Sequence, residues 1–435
     1  MTVSSHKESA NTSSVCPVCL KRLPAAVVRR GLTYFLEKEC SDHGRFSTVV
    51  WRGENPRLED WGNYMPPDEP AEEQPDCPSG CGLCAGHLQK TCCVVVEVTQ
   101  RCDLKCGYCF AQSGDGSTDP SVAQLSASFR ALVENGNTFV QLSGGEPTVR
   151  NDLPEIVAAA RDAGCENIQL NSNGVRLGKD RGFVKALAEA GLSFVFMQFD
   201  GLDDRIYESL RGRPLKAEKL AAIDACAAEL LGVTLVPTIV PGVNDQHIGA
   251  ILDFALSKSP AVRGVHFQPV SYFGRYPQPP RDSKRVTLPE VLSAIEEQTS
   301  GKIRIADLVP SGCDHPRCGF HGDFVILPDS ILPLTSKTGS SCCQAEDSHL
   351  KNRNFVARRW KRTTTACEES CCGEDYTEMD TFLARIKSHG FTITAMAFQD
   401  AYTLDIERLR RCSLHVFDNG NLIPFCARYL TPSQG

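Results

Sequence analysis

Long apolar runs and long basic runs are both absent from this 435-residue sequence. Without 18 consecutive apolar residues, no helix long enough to span a bilayer is predicted. The formal net charge of −7 and the lack of a basic run argue against a broad positive face for nucleic acid or anionic lipid. Residues 1–15 are polar and lack the apolar centre of a signal peptide, so we expect a disordered lead and a cytoplasmic protein.

Cysteine, by contrast, is abundant: the chain contains 22, several of them in closely spaced groups. Exported proteins use many cysteines for disulfides, but nothing in the sequence directs export. In a reducing cytoplasm, clustered cysteines more often bind metal or take part in redox chemistry. The composition therefore indicates a metalloprotein.

The dominant group has the spacing C-x3-C-x2-C and consists of Cys102, Cys106 and Cys109. It directly follows the apolar run Val94–Val98, which predicts a short buried strand. Soft thiolates are the ligands that iron–sulfur clusters select, and three of them leave one iron of a cubane open to a reactant. A structural zinc knuckle is the alternative, but such sites normally take four ligands and no fourth is evident nearby.

A glycine pair, Gly144 and Gly145, follows the next apolar run and precedes Glu146. Glycines let a backbone edge approach a ligand closely, and the adjacent carboxylate has the charge to take the ammonium group of an amino acid. A glycine pair alone is also compatible with an ordinary turn. Its position one strand after the cysteine loop favours a joint binding site.

Apolar and amphipathic stretches alternate from residue 94 to about residue 270. The pattern predicts six strands and five intervening helices, and hence an α/β fold with a parallel sheet, a partial (β/α)6 barrel over residues 93–275. Parallel barrels keep their chemistry at the carboxyl ends of the strands, where the cysteine loop and the glycine pair both fall. The predicted strands are Val94–Val98, Phe139–Leu142, Ile168–Asn171, Phe194–Phe199, Val233–Ile239 and Val265–Pro269, and the predicted helices are Val122–Glu134, Leu153–Ala163, Phe183–Ala190, Ala217–Leu231 and Ile248–Leu256.

Residues 16–52 carry a second metal-ligand pattern, C-x2-C followed by C-x2-H. This spacing is typical of a zinc-ribbon or rubredoxin-like site that holds one zinc or iron ion in a tetrahedron. A hairpin with free thiols is the alternative, and the histidine also fits the cap of a turn. The predicted ligands are Cys16, Cys19, Cys40 and His43.

Residues 53–92 read as a linker that ends in a second C-x3-C-x2-C group, Cys77, Cys81 and Cys84. This group has no glycine pair of its own, so it predicts an auxiliary cluster with a fourth ligand from elsewhere, with zinc as the alternative. Residues 276–435 form a cysteine-rich C-terminal region that predicts a further auxiliary cluster, with buried or free thiols as the alternative. Its best ligand set is Cys313, Cys318, Cys412 and Cys426.

Four histidines stand alone in the sequence, and each is interpreted as a surface or satisfied residue rather than a catalyst. They are His247, His266, His321 and His415.

The cysteine loop and the Gly-Gly-Glu motif together resemble the radical S-adenosylmethionine (radical SAM) superfamily. The resemblance implies a [4Fe–4S] cluster on the catalytic residues Cys102, Cys106 and Cys109, which cleaves S-adenosylmethionine (SAM) to a 5′-deoxyadenosyl radical. It also implies an external one-electron reductant of the flavodoxin or ferredoxin type. Asn173, Asp200 and Val240 would otherwise be turn residues or helix caps. The implied SAM contacts are Tyr108, Gly144, Gly145, Glu146, Asn173, Asp200 and Val240.

The order of motifs from about residue 16 to 430 resembles one branch of that superfamily, the tetraether lipid synthases and the related proteins called TrsS. Proteins of this branch have also been labelled pterin methyltransferases. The kinship implies carbon–carbon bond formation or methylation on a lipid or small molecule, with one or two auxiliary [4Fe–4S] clusters. A peptide-modifying radical SAM enzyme is the alternative. A non-catalytic iron–sulfur electron carrier and a zinc-ribbon scaffold are further alternatives.

Overall fold

The structure is a computed structural model. It describes residues 9–62, 77–80, 82–84, 86–114, 118–335, 350, 353–354, 359–361 and 378–432.

A small antiparallel sheet forms the N-terminal part of the chain. Its strands pair in sequence order, so each is joined to the next by a hairpin. The two hairpin turns at one end hold the four predicted ligands of the ribbon. The strands are β1 (Ser9–Val15), β2 (Arg22–Arg30), β3 (Thr33–Cys40) and β4 (Gly44–Arg52).

The first of these strands corrects the expectation of a disordered lead over residues 1–15. β1 pairs with β2 along its whole length, while residues 1–8 lie outside the described residues. The hydroxyl of Thr12 donates to Asp405 at 2.7 Å, and that of Ser14 donates to the Leu404 carbonyl at 2.5 Å. The polar composition that suggested disorder therefore serves hydrogen bonds to the C-terminal part of the chain.

A large sheet forms the main body, and its centre is the predicted parallel array. Six parallel strands lie in the order of the chain, and the two-residue β10 (Thr238–Ile239) pairs with the last of them. The α/β fold with a parallel sheet is thereby confirmed. The six strands are β5 (Cys93–Thr99), β6 (Phe139–Gly144), β7 (Asn167–Ser172), β8 (Phe194–Gln198), β9 (Gly232–Val236) and β11 (Val262–Pro269).

Helices connect these strands and bury their apolar faces on the sheet. Local signals fix their ends: α1 begins at the capping box of Ser121 and Gln124, and α4 ends at Gly191 in the left-handed conformation. The helices are α1 (Val122–Glu134), α2 (Leu153–Asp162), α3 (Val175–Lys179), α4 (Arg181–Ala190), α5 (Asp204–Arg211), α6 (Lys216–Ala228), α7 (Ile248–Ser257) and α8 (Leu288–Gln298).

Strands from the C-terminal region extend the same sheet on both edges. β15 pairs in parallel with β11 and antiparallel with β13, while β16 pairs in parallel with β5. The cysteine-rich region thus also completes the sheet. Its elements are β12 (Val309–Pro310), β13 (Gly319–Ile326), β14 (Ile331–Pro333), α9 (Glu378–Ser388), β15 (Gly390–Met396), α10 (Ile406–Arg410), β16 (Leu414–Asp418), β17 (Asn421–Pro424) and α11 (Phe425–Arg428).

Among the helices of the described residues, none has the length and apolar character needed to cross a lipid bilayer.

Candidate functional site

The cysteine loop lies at the carboxyl end of β5, at the edge of a cavity of about 200 Å³. All three thiols of the loop line this cavity, together with Gly144, Gly145 and the ends of β7 and β8. The loop is held from two sides. The Arg275 side chain donates to the Cys106 carbonyl at 2.9 Å, and the Gly107 amide donates to the Leu210 carbonyl at 3.0 Å.

The glycine pair brings the end of β6 against the start of the cysteine loop. The Gly145 amide donates to the Thr99 carbonyl and the Glu146 amide to the Arg101 carbonyl, both at 2.8 Å. A Cβ on Gly144 would stand 2.0 Å from the Thr99 oxygen, and one on Gly145 would stand 2.1 Å from the Arg101 oxygen. Both glycines are therefore required for the backbones to meet, in addition to any contact with a ligand.

The carboxylate of Glu146 is buried and accepts four hydrogen bonds from the protein. It accepts hydrogen bonds from the Thr148 amide and hydroxyl at 3.1 and 2.6 Å, from the Ser172 hydroxyl at 2.8 Å and from the Asn173 amide at 2.6 Å. Burial raises the pKa of this carboxyl, and these hydrogen bonds oppose the shift. Oε1 accepts three of these hydrogen bonds and Oε2 accepts one, so Glu146 joins β6 to β7 while Oε2 keeps room for a further donor.

Asn173, at the end of β7, is tied to the cysteine loop. Its side-chain amide donates to Asp103 at 2.6 Å, and its side-chain oxygen accepts from the Val175 amide at 2.9 Å. Behind it, the buried Lys219 donates to the Asn173 carbonyl and to Gln198. Burial lowers the pKa of Lys219 to about 8.

Asp200, at the end of β8, forms a buried ion pair with Arg211. Two guanidinium nitrogens donate to the two carboxylate oxygens at 2.8 Å each. Burial opposes the charge of Arg211, but the nearby carboxylate raises the pKa above its usual value. Arg211 also donates to the Tyr108 carbonyl at 3.3 Å, so the pair positions the cysteine loop.

Val240 and Tyr108 belong to one apolar cluster beside the loop. The cluster is buried, and Tyr108 packs edge-on against Tyr272 with ring centres 6.3 Å apart. The Val240 amide donates to the Asn244 side chain at 2.8 Å. Tyr108 lines the cavity at the cysteine loop, whereas Val240 lies behind it in the cluster and does not line the cavity.

The chemistry of the three thiols suits a cluster. Burial raises the pKa of Cys102 to about 12 and also raises the pKa of Cys106. A bound iron replaces the thiol proton and supplies the positive charge that compensates the buried thiolates. The residues present therefore fit a thiolate-bound cluster at this cavity.

The ribbon gathers the four ligands predicted for it. One ligand atom from each of Cys16, Cys19, Cys40 and His43 lies within 4.8 Å of the others, close enough to hold a single ion. Nδ1 of His43 stands 3.6 Å from the Cys16 sulfur and 3.5 Å from the Cys40 sulfur. Hydrogen bonds from the Asp42 backbone and the His43 side chain lower the pKa of Cys40 to about 6.

The remaining predicted ligands divide into two places. Cys318, Cys412 and Cys426 line one small cavity, together with Asp314. Cys313 is absent from that lining. Its sulfur lies 3.4 Å from the Ser413 hydroxyl, on the wall of a different cavity that Cys92 also lines. Of the auxiliary group in the linker, Cys77 and Cys84 are described, and Cys81 lies outside the described residues.

The cavity lined by Cys92 and Cys313 has a volume of about 240 Å³ and adjoins the cysteine loop. The two cavities share wall residues, among them Tyr108, Cys109 and Phe110. Sequence reasoning did not single out this space, because its residues come from many strands and none forms a local motif. Its walls combine aromatic and polar side chains, and they include Phe139, Phe196, Phe273, Phe320, Trp360, Phe398 and Phe425 with the polar residues Gln141, Asn171, His266, Gln268, Asp314 and His321.

The two histidines in this wall were expected to be surface or satisfied residues. Nδ1 of His266 lies 2.8 Å from the Thr394 hydroxyl, and burial lowers the pKa of His266 to about 4. Burial also lowers the pKa of His321. Both histidines line the cavity, which only the tertiary structure reveals.

Comparison with known proteins agrees with this geometry. Residues 96–255 match the Radical SAM superfamily, and residues 9–52 match the HMPTM N-terminal zinc ribbon domain. The chain is 30% identical over 468 aligned positions to 7,8-dihydro-6-hydroxymethylpterin dimethyltransferase of Methanocaldococcus jannaschii, covering 95% of this chain and 92% of that protein.

Two further similarities cover less of the chain. It is 32% identical over 220 aligned positions to GTP 3′,8-cyclase of Corynebacterium glutamicum, covering 47% of this chain and 55% of the cyclase. The crystal structure of SuiB from Streptococcus suis is 19% identical, with a TM-score of 0.42, and the match covers 49% of this chain and 47% of SuiB. This last likeness is too low to bear on function.

The family likeness and the cavity beside the loop exclude the electron-carrier and zinc-scaffold alternatives. The relative named above that matches nearly the whole chain is a pterin dimethyltransferase and not a tetraether lipid synthase or a TrsS protein. The chain is a radical SAM enzyme and belongs to the family that includes 7,8-dihydro-6-hydroxymethylpterin dimethyltransferase.

Proposed function

We propose that this enzyme alkylates an unactivated carbon of a pterin-like substrate held in the 240 Å³ cavity, with SAM bound in the adjoining 200 Å³ cavity. The observation that supports the proposal is the shared wall of the two cavities. A substrate in the larger cavity would lie directly beside the nucleoside, which is the proximity that a short-lived radical requires.

A [4Fe–4S] cluster on Cys102, Cys106 and Cys109 would supply one electron to SAM, whose cleavage provides the radical that removes hydrogen from carbon. A second SAM molecule would donate its methyl group to that carbon and leave as S-adenosylhomocysteine, with one further electron from the reductant. The residues of the chain hold and orient the reactants. Tyr108 provides an apolar wall for the adenine, supported by the buried cluster that contains Val240, and the backbone around Gly144 and Gly145 provides the edge for the methionine part. Asn173 and Asp200 would position the cysteine loop. Asn173 does so through its hydrogen bond to Asp103, and Asp200 through its ion pair with Arg211.

The walls of the larger cavity suit a flat, nitrogen-rich ring. Aromatic side chains stack on such rings, and the few polar groups would fix its orientation. The two enzymes named above act on a pterin and on GTP, which share a 2-amino-4-oxopyrimidine ring. We therefore propose compounds that contain this ring as the substrate class of the present enzyme.

A lipid is the second candidate. The resemblance to the tetraether lipid synthases and TrsS proteins implies it, and the aromatic part of the wall favours an apolar guest. A lipid chain would extend beyond a cavity of about 240 Å³ and would need an opening through the wall.

Two auxiliary clusters complete the proposal. One would be held by the linker cysteines Cys77, Cys81 and Cys84, and the other by Cys318, Cys412 and Cys426, with electrons arriving from a flavodoxin- or ferredoxin-like reductant. The four-ligand ribbon would hold one zinc or iron ion.

The test uses full-length enzyme reconstituted anaerobically with iron and sulfide. The enzyme is incubated with a strong reductant, SAM and either 7,8-dihydro-6-hydroxymethylpterin or an isoprenoid ether lipid. We expect release of 5′-deoxyadenosine that rises with the pterin, and mass spectrometry that finds a pterin heavier by one or two methyl groups. If the lipid and not the pterin raises 5′-deoxyadenosine release, the lipid replaces the pterin as the proposed substrate. No 5′-deoxyadenosine under any reducing condition would contradict the proposal as a whole.

A further inference from the structure

Asp314 lies between two cavities and lines both of them. One is the 240 Å³ cavity assigned to the substrate, and the other is the small cavity lined by Cys318, Cys412 and Cys426. Burial raises the pKa of this carboxyl above its usual value, and hydrogen bonds from Ser413 oppose the shift. The proposed mechanism so far assigns it no role.

The two oxygens of this carboxylate are held very differently. Oδ1 accepts hydrogen bonds from the Ser413 amide at 2.8 Å and the Ser413 hydroxyl at 2.9 Å, which fix the orientation of the group. Oδ2 has longer contacts, to the Ser311 hydroxyl at 3.4 Å and the Cys313 thiol at 3.6 Å. A strong O–H···O bond is shorter than this, so Oδ2 retains acceptor capacity.

The charge of the group is also uncompensated. In the described part of the chain, no lysine or arginine forms an ion pair with Asp314, whereas the buried Asp200 and Asp400 are each paired with an arginine. A carboxylate at a cavity wall without a cation is stabilised by strong N–H donors on a guest.

Two side-chain amides that line the same cavity already donate hydrogen bonds within the protein. The Gln141 amide donates to the Cys93 sulfur at 3.1 Å, and the Asn171 amide donates to the Gln141 oxygen at 3.3 Å. Asp314 is therefore the charged acceptor of this wall and a candidate to set the specificity of the cavity.

We propose that Asp314 anchors the substrate by accepting, at Oδ2, the exocyclic amino N–H of a 2-amino-4-oxopyrimidine ring. Oδ1 keeps its two hydrogen bonds from Ser413, so one oxygen orients the carboxylate and the other receives the guest. Asp314 thereby selects rings that carry the amino group over rings that lack it. The inference rests on the proposed function, because it deepens the substrate class given there.

The test measures binding of 7,8-dihydro-6-hydroxymethylpterin to reconstituted enzyme by equilibrium dialysis, alongside the analogue that lacks the 2-amino group. We expect wild-type enzyme to prefer the amino compound, and Asp314→Asn to bind it about 10- to 100-fold more weakly, as for a lost charge-assisted hydrogen bond. Asp253→Asn, at an exposed carboxylate paired with Lys302, is the matched control and should bind like wild type.

A second variant keeps the proposal testable if Asp314→Asn disturbs the neighbouring thiols. Asp314→Glu retains the charge and should retain the preference for the amino compound at reduced affinity. Equal binding of both compounds by wild type and Asp314→Asn would overturn the inference while leaving pterin as substrate. A loss of about four irons in Asp314→Asn would make Asp314 a cluster ligand and also overturn it. Failure of wild type to bind either pterin would overturn the proposed substrate together with the inference.

Discussion

The N-terminal ribbon and the cysteine loop after β5 both present sulfur ligands from tight turns, yet they arrange them differently. In the ribbon, four ligand atoms converge within 4.8 Å on one point. In the loop, three thiols line one side of a cavity of about 200 Å³. The ribbon leaves no position for a reactant once its ion is bound, whereas the loop borders space for one.

The surroundings of the two sites follow the same division. The four ribbon ligands come from two short hairpin turns of one small sheet. The loop after β5 is held by groups from four other parts of the chain: the glycine pair, Asn173, Arg211 and Arg275. A closed structural site is local in sequence, and an open catalytic site is assembled from distant segments.

Removing a thiol from the open site should have the largest effect. In Cys106→Ala the cubane loses one of three protein ligands, so we expect 5′-deoxyadenosine formation to fall below about a thousandth of the wild-type rate. The measurement is chromatography of the nucleoside after anaerobic incubation with SAM and reductant. Cys165→Ala, at a buried thiol of the main core, serves as control. Retained activity in Cys106→Ala would contradict the view that the loop is the catalytic site and the ribbon a structural one.

A change to the backbone contact of the open site should have the next largest effect. In Gly145→Ala the new Cβ would meet the Arg101 carbonyl at 2.1 Å, so the loop must shift. We expect a loss of about 2–4 kcal/mol in stability, a reduced iron content and a lower melting temperature.

The control for this variant is Gly182→Ala in α4, where the nearest atom stands at an ordinary 3.5 Å. Its stability should stay within about 0.5 kcal/mol of wild type. Equal behaviour of the two alanine variants would show that the close approach at Gly145 is unimportant.

A change at the closed site should have the smallest effect on chemistry. In Cys19→Ser the ribbon should lose its ion, which metal analysis of the purified protein measures, because structural sites normally need all four ligands. SAM cleavage should remain within about threefold of wild type, as expected for distant and independent sites. A loss of SAM cleavage as large as that of Cys106→Ala would mean that the ribbon takes part in the reaction.

Much of the fold follows from local sequence. The predicted helix Val122–Glu134 has the bounds of α1, and the predicted strands agree with β5 to β8 within two residues at each end. These elements are short apolar runs or amphipathic stretches with strong end signals. The ribbon ligands were equally predictable because both halves of the site are sequence motifs.

The remainder depends on contacts between distant segments. The hydroxyls of β1 are satisfied by residues near position 405, so its polar sequence gave no sign of a strand. The placement of Cys313 apart from Cys318 could not be predicted from a short spacing, because the turn between them directs the two thiols to different cavities. Arg211 and His266 carry no motif and gain their roles only from neighbours in space.

The pairing of β16 with β5 has a consequence for biosynthesis. The strand that carries the cysteine loop is an uncovered edge until β16, near the end of the chain, is available to it. A growing polypeptide on the ribosome would therefore display the ribbon early but the loop in an unfinished sheet. Delivery of the iron–sulfur cofactor is accordingly expected only after β16 has been synthesised, whereas the ribbon is able to take its ion earlier.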